Sequence, residues 1–221
     1  MTLIPDLRVR RRRAEIMDEP GLDPAAHRDA LTALRRVNGL SAGVRAVWPR
    51  IRAFCLARRK EEPAKPVRLL DVACGGGDFA VRIARRARRE GVDLEVAGCD
   101  VSPYALRHAE EHSRRSGTAV DFFQHDVLAS PLPEGFDALT CSLFLHHLDE
   151  PDAVRLLKEM KRVASLVLVD DLARGLLGWM LVYAGIRLLS RSAVARVDGP
   201  RSVEGAFPPD EARRLAEEAG W

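Results

Sequence analysis

The segment Val67-Arg-Leu-Leu-Asp-Val-Ala-Cys-Gly-Gly-Gly-Asp-Phe79 constrains the fold more than any other part of this chain. An apolar run stops at three consecutive glycines, and a helical pattern begins at once. A strand that ends in a glycine turn and feeds a helix aims backbone N–H groups at a ligand, at the positive end of the helix dipole. Only residues without a side chain permit that approach, because a Cβ would collide with the bound molecule or forbid the turn's dihedrals. The segment predicts the nucleotide-binding turn of an α/β domain.

From residue 67 onward, strand and helix patterns alternate, which predicts an α/β fold: a Rossmann-like, doubly wound, mostly parallel sheet with helices on both faces. Strands are expected over residues 67–73, 94–99, 120–123, 136–142 and 166–169. The first helix, 78–90, buries Phe79, Ile83 and Ala87, turns Arg82, Arg85, Arg86 and Arg89 to water and ends at Gly91. Ser102-Pro103 caps the next helix, which stops at Gly117, and a helix over 152–163 joins the last two strands. An unusually apolar helix, 176–189, follows Asp170-Asp171; then come a loop containing Gly199-Pro200 and a short amphipathic helix over 209–219.

Residues 1–60 read as a separate N-terminal helical cap, joined by the proline-bearing link 61–66 to the main domain, 61–221. Asp23-Pro24 starts one cap helix and Asn38-Gly39 stops it. Ser41 starts a second, bent near Pro49, with Val44, Val47, Trp48, Ile51 and Phe54 on one side. The arginines at positions 8 and 10–13 read as a solvated helix face, with contact to an anionic ligand as the alternative.

Composition excludes several classes. At 221 residues with 30% charged and 47% hydrophobic residues, the chain holds one core and is not disordered. A formal charge of +3 is too small to require a nucleic-acid partner, and four lysines leave arginine to supply 31 of the 35 basic residues, a skew that fits a GC-rich genome. Cys55, Cys74, Cys99 and Cys141 form no C-x-x-C pair, so reduced thiols and a cytoplasmic location are expected. No signal-like N-terminus is present, and the apolar stretch 176–186 is too short for stable membrane insertion.

By itself the glycine turn is ambiguous. Gly75-x-Gly77-x-x-Ala80 fits a dinucleotide fingerprint, and Asp100 follows Gly77 by 23 residues, near the spacing of a ribose-binding acid. A nicotinamide-dependent oxidoreductase is therefore one reading. Three features favour S-adenosylmethionine instead. Asp71 sits inside the first strand, where it can receive a cationic amino group. Asp100 and Asp126 close the next two strands. The segment Phe136-Asp-Ala-Leu-Thr-Cys-Ser-Leu-Phe-Leu-His-His-Leu148 surrounds the fourth.

Together, Asp71-Val-Ala-Cys-Gly-Gly-Gly77, Gly98-Cys-Asp-Val-Ser102, His125-Asp126 and Phe144-Leu-His-His-Leu148 resemble the class I S-adenosylmethionine-dependent methyltransferases, particularly the small-molecule branch related to quinone and polyketide biosynthesis. The resemblance implies a role for each motif residue. Asp71 would meet the methionine amino group, directly or through water. The backbone of Ala73, Cys74, Gly75 and Gly77 would pass beside the methionine and ribose. Asp100, followed by Val101, would accept from the ribose hydroxyls. Asp126 would accept from the adenine amino group, and Val127 would offer its N–H. Ser142 and Leu143 would line the cofactor near the sulfonium. Ala73 stands where the family more usually has glycine.

His146 and His147 are candidates for removing the acceptor's proton, with packing or cofactor lining as the alternative. Adjacent histidines point apart and no further ligand cluster is evident, so no metal is expected. Trp179, Met180 and Tyr183, on the apolar helix after the fifth strand, are candidate walls of an acceptor pocket. Strand four lacks the Asn/Asp-Pro-Pro-aromatic motif of the family's base-methylating members. These features imply O-methylation of a small hydrophobic phenol or enol, ahead of C-methylation, with no nucleic-acid substrate. A cofactor-binding protein without catalysis is the third reading. The sequence does not indicate an oligomeric state. Family members end with two more strands after an Ala-Gly-aromatic segment. Here Ala219-Gly220-Trp221 ends the sequence where the next strand is expected, which reads as a truncated sequence, with a shortened sheet that keeps an open edge as the alternative.

Overall fold

A computed structural model describes residues 5–19, 21–40 and 43–221. The elements run α1 (Pro24–Leu40), α2 (Gly43–Glu61), β1 (Val67–Val72), α3 (Asp78–Glu90), β2 (Leu94–Asp100), α4 (Pro103–Arg115), β3 (Asp121–Gln124), β4 (Ala138–Ser142), α5 (Glu150–Val163), β5 (Leu166–Asp170), α6 (Leu176–Leu189), α7 (Ala193–Gly205) and α8 (Pro209–Glu218). The five strands form one sheet in the order β3-β2-β1-β4-β5, and every pairing is parallel. This is the doubly wound arrangement expected from the alternating pattern. The chain winds outward from β1 to β3, then returns to the other side of β1 with β4. Ligands of such sheets bind at that reversal, beyond the carboxyl ends of the strands.

The contacts between backbone segments divide the chain into two compact units. One comprises Ser41–Ser142 and Arg155–Asp170; the other comprises Met1–Leu40, Leu143–Val154 and Asp171–Trp221. This differs from a boundary drawn near residue 60. The cause is the apolar side of α2: Val44, Val47, Trp48, Ile51 and Cys55 join Val67 and Leu69 of β1, Ala80, Ile83 and Ala87 of α3, Val96 and Ala138 in one core. A helix that buries such a face against the sheet is part of the sheet's layer rather than a cap. Trp48 also donates its indole N–H to Glu90 at 3.0 Å, tying α2 to the end of α3. The other sheet face carries Leu70, Val72, Leu139 and Cys141, all buried.

In the second unit, the expected loop around Gly199-Pro200 is a helix, α7. Two of its residues explain why these helix breakers are tolerated. A Cβ on Gly199 would lie 2.0 Å from Ile186 Cδ1, so the missing side chain lets α7 pack closely on α6. The carboxylate of Asp198, next to it, accepts the backbone N–H groups of Ile16 and Met17 at 2.9 and 3.0 Å. Packing and long-range hydrogen bonds here override local propensity. Helix α1 continues through Asn38-Gly39 to Leu40, while Ser41 lies outside the described residues. The four cysteines are free thiols. Among the described residues, no helix is long and apolar enough to cross a membrane.

Candidate functional site

The turn after β1 is built almost wholly from left-handed backbone. Ala73, Gly75 and Gly77 have φ of 53°, 51° and 73°. Cys74 N–H donates to Cys99 O and Gly77 N–H to Cys74 O, both at 2.9 Å, which fastens the turn to the end of β2. Gly75 and Gly77 do different work in the turn. A Cβ on Gly77 would meet Ala109 Cβ at 2.7 Å and Phe122 Cζ at 2.8 Å, so Gly77 is required by packing as well as by its φ. Gly98, opposite on β2, is crowded in the same way by Cys74 Sγ and Phe122 Cδ1, each at 2.9 Å. At Gly75 a Cβ would meet nothing within 4 Å. The open side of the turn is therefore at Gly75, and that is the side on which a ligand can lie against bare backbone.

Asp100 stands at that side. Its Oδ2 accepts Gly75 N–H at 2.8 Å, and its Oδ1 accepts Ser102 N–H at 2.9 Å. The Ser102 hydroxyl oxygen in turn caps α4 by accepting Ala105 N–H at 3.2 Å. The helix start is thus capped by Ser102, and Asp100 is held beside the glycine turn. His125 N–H donates to Asp100 O at 3.0 Å, which brings the end of β3 to the end of β2. Asp126 follows. It is exposed, and its Oδ1 accepts Leu128 and Ala129 N–H at 2.9 and 3.1 Å, so this carboxylate shapes the turn that presents half-buried Val127. Val101 is largely exposed.

Asp71 is 1% exposed, deep in the sheet. The parallel register places it opposite Thr140, whose hydroxyl donates to Asp71 Oδ1 at 2.8 Å. Burial raises its pKa to about 7, against the lowering effect of the Thr140 and Ala80 hydrogen bonds; the charge of Asp100 raises it further. Without a cation the site thus holds a carboxyl near the edge of ionisation. Ser142 ends β4 beside β1, and Leu143 after it has φ of 56°. Ala73 and Leu143 are the two non-glycine residues in left-handed conformation among those described, and they immediately follow β1 and β4, the strands flanking the reversal. Such strain, about 1–3 kcal/mol each, persists where surrounding structure enforces it and gathers at binding sites. An open backbone turn, a carboxylate fixed beside it and a buried acid suited to an ammonium together fit an adenosyl sulfonium with an amino-acid end.

The second unit brings together residues that are far apart in sequence. His146 is buried, and its Nδ1 lies 2.6 Å from Asp171 Oδ1 while its Nε2 lies 3.7 Å from Glu15 Oε1. His147 Nε2 is 3.9 Å from the same Glu15 oxygen, and its ring stacks on Phe144. The Ser202 hydroxyl donates to Glu15 Oε1, and His146 N–H donates to Asp171 Oδ2 at 2.9 Å. Burial alone would lower the pKa of His146, but the Asp171 and Glu15 carboxylates outweigh it and the pKa rises to about 9. Burial opposes ionisation of Glu15, yet the histidines and Ser202 hold its pKa below the ordinary value. Adjacent histidines were expected to point apart with no ligand nearby; their rings are in fact 4.3 Å apart, and Glu15 lies at both.

Two of the N-terminal arginines hold backbone carbonyls, while Arg8, Arg11 and Arg13 are exposed. Arg10 donates to the carbonyls of Gly205, His146 and Leu148 at 2.6, 3.1 and 2.6 Å and lies over the Phe207 ring, and Arg12 donates to His147 O at 3.1 Å. Residues 10–15 are not helical, so the expected helix is absent there, although most of these arginines do face solvent. On α6, buried Trp179 stacks on Tyr183 with centroids 4.9 Å apart, and the Arg187 guanidinium lies 3.4 Å from the Tyr183 ring centroid. Met180 is 44% exposed.

Comparison with known proteins agrees with the geometry. Residues 69–165 match the family described as "Methyltransferase domain". Among curated proteins, the ubiquinone biosynthesis O-methyltransferase of Chromobacterium violaceum is 29% identical over 160 residues, 69% of this chain and 63% of that protein. That of Thiobacillus denitrificans is 30% identical over 165 residues, 72% of this chain and 66% of that protein. The matches thus span less than two thirds of these relatives' length. Among solved structures, the plantazolicin methyltransferase BpumL in complex with SAH has a TM-score of 0.59 at 17% identity, over 88% of this chain and 69% of that one. This last likeness concerns the fold.

Proposed function

We propose that this chain is a class I S-adenosylmethionine-dependent methyltransferase, as its likeness to the methyltransferase domain and to the curated relatives supports, and that it methylates an oxygen of a small hydrophobic phenol or enol of the quinone type. The observation that carries the cofactor reading is the Asp100 carboxylate bonded to Gly75 N–H at the open side of the glycine turn. The names of the two curated relatives given above, both ubiquinone biosynthesis O-methyltransferases, support oxygen over carbon and a quinone-like acceptor.

Bound S-adenosylmethionine supplies an already activated methyl group on a sulfonium. The protein's part is alignment and exclusion of water. In this reading Asp100 accepts from the ribose hydroxyls, Asp71 faces the methionine ammonium, and the backbone of residues 73–77 lies along the molecule. Asp126 and Val127 take the adenine edge, and Ser142 and Leu143 lie near the sulfur. As the new C–O bond forms the C–S bond breaks, S-adenosylhomocysteine leaves, and the acceptor loses its hydroxyl proton. We assign that proton's removal to the cluster of Glu15, His146 and His147, and the acceptor's contact to Trp179 and Tyr183.

The test is incubation with cofactor labelled in its methyl group and a panel of catechols, hydroquinones and enols. Labelled methyl ether as product supports the reading; C-methylated product, or none with any acceptor, opposes it. Thermal denaturation separates the oxidoreductase alternative, because S-adenosylhomocysteine, and not NAD(P)H, is expected to raise the melting temperature.

A further inference from the structure

We propose that Glu15, His146 and His147 form a binding site for one divalent transition cation of the zinc type. Among the described residues, one ligating atom from each of the three lies within 4.8 Å of the others. Tetrahedral zinc, with nitrogen and oxygen ligands near 2.1 Å, sets ligand atoms about 3.4 Å apart. The measured separations from Glu15 Oε1, 3.7 Å to His146 and 3.9 Å to His147, exceed that by only a few tenths of an ångström. Imidazole and carboxylate in a two-to-one ratio suit zinc, with a fourth position for water or an acceptor oxygen.

The surroundings are those of a prepared site. Asp171 Oδ1, at 2.6 Å from Nδ1, accepts the hydrogen bond of that nitrogen's N–H and leaves Nε2 of His146 facing Glu15. A carboxylate behind a ligating histidine in this way fixes its tautomer and strengthens it as a ligand. Asp171 is itself fixed by the N–H groups of His146 and Leu172, at 2.9 and 2.7 Å. The Ser202 hydroxyl orients Glu15, and Arg10 and Arg12 hold the carbonyls of residues 146–148. The carboxylates of Glu15 and Asp171 balance the two charges of the cation. The cation joins the N-terminal segment to the turn at residues 145–147. An acceptor hydroxyl bound at its fourth position would have its pKa lowered by the Lewis acid, its proton passing to water. This deepens the assignment of the proton step to the same cluster, and it rests on that assignment only for its catalytic consequence.

The experiment reads the metal itself. The full chain, stripped with chelator, is titrated with Co²⁺ and followed by visible absorption, then dialysed against micromolar Zn²⁺ and assayed for bound metal. One Co²⁺ per chain with tetrahedral ligand-field bands, displaced by Zn²⁺, is the expected result. Glu15→Gln and His147→Ala should each weaken uptake at least tenfold, and Asp171→Asn roughly tenfold to a hundredfold. Absence of those bands in the wild-type chain, or uptake unchanged in Glu15→Gln, overturns the site whether or not any variant folds poorly. S-adenosylhomocysteine binding, measured in parallel, separates failure of this site from failure of the methyltransferase reading.

Discussion

Asp71→Asn isolates the buried acid under the glycine turn. The Asp71 carboxyl has a pKa of about 7 in the folded chain against 3.8 as its ordinary value, because burial penalises its charge more than Thr140 and Ala80 favour it. A folded-state pKa above the unfolded one means that the protonated acid favours folding. Its contribution is complete below pH 4, falls as pH rises from about 4 to 7, and is gone above. A shift of about three units corresponds to roughly 4 kcal/mol across that window. Asparagine keeps an acceptor for the Thr140 hydroxyl but cannot ionise. Urea denaturation of the cofactor-free chain at half-unit steps from pH 5 to 8 should show wild-type stability falling by some kcal/mol more than that of the variant. An ammonium bound beside Asp71 restores its charge, so S-adenosylhomocysteine binding near pH 6 should release close to one proton. Calorimetry in buffers of different ionisation enthalpy reads that release. Parallel pH profiles for the two proteins would refute this account of Asp71, and proton-neutral binding would refute its pairing with the ammonium.

Other positions test the turn and the packing. Ala73→Gly removes a left-handed Cβ and should raise stability by roughly 0.5–1 kcal/mol after the entropy of glycine is counted, seen as a melting temperature about 1–4 °C higher. Gly77→Ala adds a Cβ 2.8 Å from Phe122 Cζ at a positive φ. It should cost about 2–4 kcal/mol and abolish cofactor binding. Gly199→Ala drives a Cβ into Ile186; a denaturation midpoint unchanged by it would contradict the close packing of α6 on α7.

The parts of the site that could be read from the sequence are those in which local pattern dictates geometry. Gly75, Gly77 and Asp100 announce themselves because an apolar run, a glycine turn and a strand-ending acid are each local. Thr140 was passed over because its partnership with Asp71 depends on the register of β1 against β4, which no single segment encodes. Glu15 carried no signal at all. It meets His146 and His147 only after the N-terminal segment is held by Arg10, Arg12 and the Asp198 carboxylate. Asp198-Gly199-Pro200 reads as a loop on propensity, yet burial and the Ile16 and Met17 hydrogen bonds make it a helix. Likewise α2, with an apolar face indistinguishable from that of a cap helix, proved to be part of the sheet's own core.

The most direct measurement is calorimetric titration of S-adenosylhomocysteine into the wild-type chain and Asp100→Ala, with near-ultraviolet circular dichroism to establish that both are folded. Loss of a hydrogen-bonded carboxylate removes on the order of 1.5–3 kcal/mol, so the variant should bind roughly tenfold to a hundredfold more weakly. Equal affinity in the two proteins would place the adenosyl group elsewhere than at Gly75 and Asp100, and would contradict the assignment.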